Sequence, residues 1–191
     1  MKQSVKFIIL AVLLVGVLVG AFFAYQNLKG DGEQITKATT ALQTQSHDES
    51  VNVGAQASDF KVLDINGNDV RLSEQFGKPI VLNFWATWCG YCVEELPAFE
   101  EVYKEKDDSV QFMVVNLTDG KRETLKSATA FLKEQAFTFP AYFDTYGEAL
   151  TAYSAYTIPL TLFINSDGTI ADKHLGALDK NTLETKLSEL S

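Results

Sequence analysis

The sequence is poor in the residues that bind metals and build disulfide frameworks. It contains only two cysteines, Cys89 and Cys92, and two histidines, His47 and His174. A structural zinc site needs four ligands, and these histidines lie far from the cysteines along the chain, so we expect no metal site. A disulfide between Cys89 and Cys92 would enclose only two residues. It would constrain the unfolded chain very little, which argues against a purely structural crosslink.

Positive charge is also scarce. Lysine and arginine number 16 against 25 aspartates and glutamates, which gives a formal net charge of −9. Binding to the phosphate backbone of nucleic acids depends on basic side chains that neutralise the phosphate charges. We therefore expect no nucleic acid partner. The same acidic balance disfavours docking on anionic lipid headgroups.

Charge is absent altogether from residues 7–25. As a helix this run is about 28 Å long, close to the hydrocarbon thickness of a bilayer. The two lysines of residues 1–6 precede it, which predicts a cytoplasmic N-terminus and an extracytoplasmic remainder. We predict an uncleaved, single-pass transmembrane signal anchor over residues 7–25, with cleavage near the small residues 19–21 as the alternative. No cysteine follows the run before Cys89, which excludes a lipid-modified N-terminal cysteine.

Two segments follow the predicted anchor. Residues 26–52 are rich in Gln, Thr, Ser and Gly and hold few large apolar side chains. Such a segment buries too little surface to offset its ordering entropy, so we predict a flexible extracytoplasmic tether. Residues 53–191 are numerous enough to bury a core of their own, and we assign them to one domain.

Strand and helix patterns alternate through this domain. This order is typical of an α/β fold, here with a central mixed sheet flanked by helices and an N-terminal β-hairpin extension. The predicted elements are a hairpin turning at Asn66-Gly67, buried strands at 79–85 and 110–117, a helix from the cysteines to about Lys106, a helix at 123–135, a strand at 139–144, a helix at 147–156, a hairpin at 160–175 and a last helix capped by Asp179.

The cysteine pair lies where a buried strand gives way to a helix. In α/β sheets, sites are built outside the carboxyl ends of strands. The first turn of a helix offers unpaired N–H groups and a positive dipole end, and both favour thiolate over thiol. We therefore predict a redox pair in which Cys89 is the exposed nucleophile and Cys92 resolves the mixed disulfide. The redox-active Cys89–Cys92 disulfide would need no other cofactor.

Four pieces of sequence resemble a known family. "LNFWATWCGYC" is similar to the strand and active site of the thioredoxin superfamily, and "YTIPLTLFIN" resembles its cis-proline segment. Pro97 lies five residues after Cys92, where that family kinks its helix. "GAQASDF" resembles the opening of the membrane-anchored TlpA/ResA-like branch, with Ser58 where proline is usual. The resemblance covers Val53 to Leu190 and implies a thioredoxin-like fold and a thiol–disulfide oxidoreductase.

The resemblance also implies roles for single residues. Pro159 would be cis and packed against the cysteine pair, which leaves the Ile158 backbone free to pair with a substrate strand. Glu95, three residues after Cys92, corresponds to a glutamate that handles protons in ResA-like reductases; the alternative is a solvated surface acid. Other thioredoxins carry a buried aspartate at the position of Asn83.

Three residues around the pair complete the predicted site. Trp88 is expected to form a wall beside the cysteines, and its side chain cannot take a proton. Gly90 and Tyr91, between the cysteines, would tune the reduction potential and contact the substrate. Together with Ile158 and Pro159 they form the predicted substrate-binding set.

The resemblance implies activity on protein thiols or disulfides outside the membrane, with electrons drawn from a membrane partner. A reductase for cytochrome c maturation or for repair of oxidised exported proteins is the leading hypothesis, and a net oxidase is its close rival. A thiol peroxidase is disfavoured because both tryptophans precede Cys89 and because Ala86 occupies the place of a peroxiredoxin threonine. A non-catalytic binding module is disfavoured by the intact cysteine pair.

Overall fold

The computed structural model describes residues 51–106 and 108–191, together with Val19, Phe22, Phe23 and Tyr25. These four residues are helical and exposed. Among the described residues, no helix is long and apolar enough to cross a bilayer. The rest of the predicted anchor and residues 26–50 of the predicted tether lie outside them. Val51, which we assigned to the tether, is buried among core residues.

The described residues contain seven strands and four α-helices. The strands are β1 Lys61–Leu63, β2 Asp69–Arg71, β3 Ile80–Trp85, β4 Gln111–Asn116, β5 Ala141–Phe143, β6 Leu160–Ile164 and β7 Ile170–Leu175. The helices are α1 Gly90–Glu105, α2 Leu125–Glu134, α3 Glu148–Tyr153 and α4 Lys180–Ser188, and a 3-10 turn covers Leu72–Gln75.

The strands form one mixed sheet in the order β2-β1-β5-β4-β3-β6-β7. The β3–β4 and β4–β5 pairs are parallel, and the other pairs are antiparallel. β1 and β2 form the predicted N-terminal hairpin, in which Gly67 takes a left-handed φ of 84°. The prediction of an α/β domain with a central mixed sheet is confirmed.

Local sequence signals set the helix boundaries. The Asp179 side chain accepts a hydrogen bond from the Thr182 N–H at 2.8 Å, so it caps α4 as predicted. The predicted helix at 123–135 begins later, because Thr124 caps α2 through a bond from the Ser127 N–H. Glu123 is therefore left in the loop between β4 and α2.

Alternation along β3 assigns its side chains to two apolar layers. Ile80, Leu82 and Phe84 belong to the core on one face of the sheet, while Val81 and Trp85 belong to the core that also contains residues of α1. Successive strand residues point to opposite faces, so Asn83 points to the same face as its neighbours Val81 and Trp85. The only polar side chain of this buried strand therefore faces α1.

The sheet brings three chain segments together at one edge. Trp85 ends β3 and pairs with Asn116 at the end of the parallel strand β4. On the other side, Phe84 pairs with Leu160 at the start of the antiparallel strand β6. The segment that precedes α1, the loop after β4 and the residues before β6 consequently meet at this edge.

Candidate active site

The cysteine pair lies at the start of α1 and forms a disulfide. Cys89 is the N-cap residue, and its Sγ accepts a hydrogen bond from the Cys92 N–H at 3.2 Å. Cys89 is 8 % exposed, whereas Cys92 is fully buried. Cys89 is thus mostly buried, less exposed than the predicted exposed nucleophile, but of the two cysteines it alone keeps any exposed surface.

A proline segment faces the Cys89 sulfur. The Ile158–Pro159 peptide bond is cis, as the resemblance implied. The carbonyl oxygen of Ile158 lies 3.7 Å from the Cys89 Sγ. Within the described residues, neither backbone group of Ile158 pairs with another backbone group. The segment thus presents an N–H and a C=O that pair with no other described backbone group, and the C=O contacts the Cys89 sulfur.

Trp88, which directly precedes Cys89, and Ile158 also line a groove of about 430 Å³. Leu117, Tyr146 and Tyr156 supply further apolar surface. Trp88 is 42 % exposed and Tyr156 is 73 % exposed, which is unusual for large aromatic side chains. The predicted wall at Trp88 is therefore one side of this groove.

The other two residues of the predicted set lie between the two cysteines. Gly90 and Tyr91 form the first turn of α1 and are exposed, with Tyr91 at 70 %. Both therefore belong to the surface around Cys89. The structure places Cys89, Cys92, Trp88, Ile158 and Pro159 near one another.

Glu95 lies one helical turn beyond Cys92 and is 2 % exposed, which excludes the alternative of a solvated surface acid. Its Oε1 accepts a hydrogen bond from Asn83 Nδ2 at 2.8 Å, and its Oε2 accepts one from the Leu178 N–H at 2.9 Å. Burial raises the pKa of this carboxyl from 4.5 to about 7, against the opposing effect of these two bonds. Glu95 therefore exchanges protons near neutral pH.

A small polar cluster surrounds the Glu95 carboxyl inside the core. Asn83 Nδ2 also donates to Thr161 Oγ1 at 3.0 Å. Asn83 Oδ1 is buried and has no hydrogen-bond partner among the described residues. The amide can consequently accept a further bond from a new donor at this position.

Sequence reasoning missed a buried carboxyl beside the residues that precede the cysteines, Glu123. Its Oε2 accepts bonds from the Thr87 N–H at 3.1 Å and the Thr87 hydroxyl at 2.7 Å, and Asn116 Nδ2 donates to Oε1 at 3.1 Å. The only signal available was a glutamate directly before the cap residue Thr124. No group of three metal-binding side chains occurs among the described residues.

The arrangement suits sulfur exchange. The accessible sulfur lies at a helix start, where N–H groups and the helix dipole stabilise a thiolate. A second sulfur lies within bonding distance and is shielded from solvent. A carboxyl that titrates near neutrality lies one turn further along the same helix. These are the groups that a dithiol needs to exchange with an external disulfide.

The comparisons with known proteins agree with this chemistry. The model of the AhpC/TSA family matches residues 53–173. The thioredoxin-like protein YneN of Bacillus subtilis strain 168 is 36% identical over 146 residues, which are 76% of this chain and 85% of that protein. The thiol–disulfide oxidoreductase ResA of Geobacillus kaustophilus strain HTA426 is 34% identical over 142 residues, 74% of this chain and 79% of that protein.

Solved structures give the same fold. The pneumococcal exposed lipoprotein thioredoxin Etrx1 from Streptococcus pneumoniae strain TIGR4 is similar with a TM-score of 0.62 and 30% identity. The match covers 70% of this chain and 100% of that structure. The similarity in fold therefore spans the whole of that domain.

Proposed function

The chain belongs to the AhpC/TSA family and, within its thioredoxin-like members, is a thiol–disulfide oxidoreductase of the ResA type; from this premise we propose that it reduces disulfides of exported proteins. The single observation that carries the proposal is the contrast between Cys89, which keeps an exposed fraction of 8 %, and the fully buried Cys92 at the start of α1. This contrast supports Cys89 as the sulfur that meets the substrate.

The proposed reaction consists of two exchanges. The Cys89 thiolate attacks a substrate disulfide, forms a mixed disulfide with one substrate sulfur and releases the other as a thiolate. The Cys92 thiolate then attacks the Cys89 Sγ, which forms the Cys89–Cys92 disulfide and releases the first substrate sulfur. Two electrons pass from the dithiol to the substrate, and no cofactor besides the disulfide takes part.

Glu95 is proposed to take the proton from Cys92 before the second exchange. A base is needed because Cys92 is buried, and burial in apolar surroundings favours the neutral thiol. With a pKa of about 7, the Glu95 carboxylate can accept a proton and release it again near neutral pH. A Glu95→Gln variant should therefore lose the limb of the pH–rate profile near pH 7.

The substrate is proposed to bind as an extended segment along Ile158. The free N–H and C=O of Ile158 can pair with a substrate strand whose cysteine faces Cys89. A side chain that flanks this cysteine would enter the groove beside Trp88, while Gly90, Tyr91 and Pro159 form the remaining contact surface.

The reaction is proposed to take place outside the cytoplasm. The uncharged run at residues 7–25 would anchor the chain, and its preceding lysines orient it. One structural relative is described as an exposed lipoprotein, which supports an exterior location. A membrane-bound dithiol donor would then return two electrons to the Cys89–Cys92 disulfide after each turnover.

The reduction potential tests the direction of this reaction. The full chain in detergent is equilibrated with glutathione or dithiothreitol buffers, and the dithiol fraction is measured by alkylation. A potential near the thioredoxin figure of about −270 mV supports the reductase, whereas one near the DsbA figure of about −120 mV would assign the chain to net oxidation.

Trapping tests the order of attack. A Cys92→Ser variant lacks the resolving sulfur, so it should accumulate mixed disulfides on Cys89 that dithiothreitol releases. The Cys89→Ser variant is the matched control and should trap nothing, because its remaining thiol is buried. Trapping by the control alone would reverse the roles of the two cysteines.

A further inference from the structure

Two consecutive residues of the loop after β4 contact the turn that precedes Cys89. The Cys89 N–H donates to the Ala86 carbonyl oxygen at 3.1 Å, which closes a turn with Thr87 and Trp88 at its centre. The Glu123 carboxyl binds Thr87, and the Arg122 guanidinium lies 3.9 Å from the centre of the Trp88 ring. Both central residues of the turn are thus fixed by charged side chains.

Glu123 is fully buried, and its two oxygens face three donors. Two of these donors belong to Thr87 and the third is Asn116 Nδ2. Acceptance of three bonds and donation of none is the pattern of an ionised carboxylate. In that form Glu123 would place a negative charge next to the turn that carries the nucleophile.

The loop itself fixes the position of Glu123. The Asp119 carboxyl accepts bonds from the Lys121 N–H at 2.7 Å and the Glu123 N–H at 2.9 Å. The Gly120 N–H donates to the Glu123 carbonyl oxygen at 2.9 Å. These bonds within the loop hold the backbone of Glu123 in the position from which its side chain contacts Thr87.

We propose that Glu123 is a positioning residue that holds the turn before Cys89 and, through its charge, limits the thiolate character of that sulfur. This inference rests on the proposed redox role of Cys89. Thr87 lies two residues before Cys89, and two Cα steps span at most about 7.6 Å, which is within a Debye length. The start of α1 stabilises the thiolate, whereas Glu123 opposes it and Arg122 partly offsets Glu123.

The expected effect follows from Coulomb's law. For an assumed separation of about 9 Å between the Glu123 carboxylate and the Cys89 sulfur, and an effective dielectric constant of about 40 to 80, one charge changes the thiolate-to-thiol ratio about two- to fivefold. Loss of the Glu123 charge should raise this ratio and make the reduction potential less negative by up to about 20 mV, at 29.6 mV per tenfold change. Glu123 would therefore favour the reducing direction.

The test is the pH dependence of Cys89 alkylation by iodoacetamide in the reduced full chain. Glu123→Gln retains an oxygen for Thr87 but loses the charge, so the thiolate fraction below the thiol pKa should rise about two- to fivefold. Glu123→Asp retains the charge and should stay closer to the unmodified chain. Glu94→Gln removes an exposed acid from α1 and controls for net charge. Equal titration curves for all four proteins would overturn the inference.

Arg122 offers an independent variant with the opposite sign. Its side chain is exposed, so Arg122→Gln is expected to fold even if Glu123→Gln does not. Loss of the positive charge over Trp88 should lower the thiolate fraction about twofold, and a rise would contradict the electrostatic argument. Because alkylation needs no protein substrate, these results stand apart from any failure of disulfide reduction.

Discussion

Replacement of Glu95 by glutamine should change the pH dependence of stability in a predictable way. Because burial raises the pKa of Glu95 from 4.5 to about 7, the folded chain keeps a proton between these values that the unfolded chain has lost. Stability contributed by this proton is present below pH 4.5 and disappears as the pH rises through 7. At 1.36 kcal/mol for each pKa unit, the loss amounts to about 3 kcal/mol.

The variant should fold because its environment can adapt. The new amide oxygen can accept the Leu178 N–H, and the new amide NH₂ can donate to Asn83 Oδ1 once the Asn83 amide rotates. The rotation gives Asn83 Oδ1 a partner and takes Nδ2 away from Thr161 Oγ1, so it exchanges one unpaired amide atom for the other. The pH-dependent part of the difference then isolates the Glu95 carboxyl.

Urea unfolding of the two oxidised proteins at intervals from pH 4 to pH 8 measures this difference. The free energy of unfolding of Glu95→Gln, minus that of the unmodified chain, should increase by about 3 kcal/mol from the lowest pH to the highest. A difference that stays constant to within about 0.5 kcal/mol would refute the shifted pKa and, with it, the proton-transfer role of Glu95.

Two further substitutions test features that hold the domain together. Glu100 accepts bonds from the Thr138 N–H, the Thr138 hydroxyl and the Phe139 N–H. Glu100→Gln should therefore cost about 1–3 kcal/mol of unfolding free energy at pH 7. Burial alone would raise the Glu100 pKa, but the bonds to Lys104 and Thr138 outweigh it and lower the pKa, so this cost should shrink as the pH falls below the ordinary value of 4.5. Asp179→Ala removes the cap of α4 and should cost about 1 kcal/mol by urea unfolding, with Asn181→Ala on the same helix as the control. A loss of unfolding free energy under about 0.3 kcal/mol in Glu100→Gln or in Asp179→Ala would contradict the contact assigned to that residue.

Periodic and local signals in the sequence predicted most of the fold. The apolar runs at 79–85 and 110–117 became β3 and β4, whose side chains are almost all buried. Asp179 became a helix cap because its side chain reaches an N–H only three residues away. Information that lies within a few residues of chain suffices for such features.

Contacts between distant segments could not be predicted in the same way. The burial of Glu95 depends on Asn83 and on the Leu178 N–H, 83 residues further along the chain. Glu123 lay within a stretch of helical pattern, and only the meeting of the β4 loop with Thr87 gives it a buried partner. A polar residue becomes part of a site through neighbours that the fold brings close. The periodic pattern of the sequence does not show which residues these will be.

The bond from the Leu178 N–H to Glu95 has a spectroscopic consequence. Leu178 lies just before α4 and outside the surface around the disulfide, yet its amide proton touches the carboxyl that titrates near pH 7. In a nitrogen–proton correlation spectrum, the Leu178 cross-peak should move with pH along the ionisation curve of Glu95. This one backbone amide would serve as a built-in reporter of the proton at the redox centre, with no label placed near either sulfur.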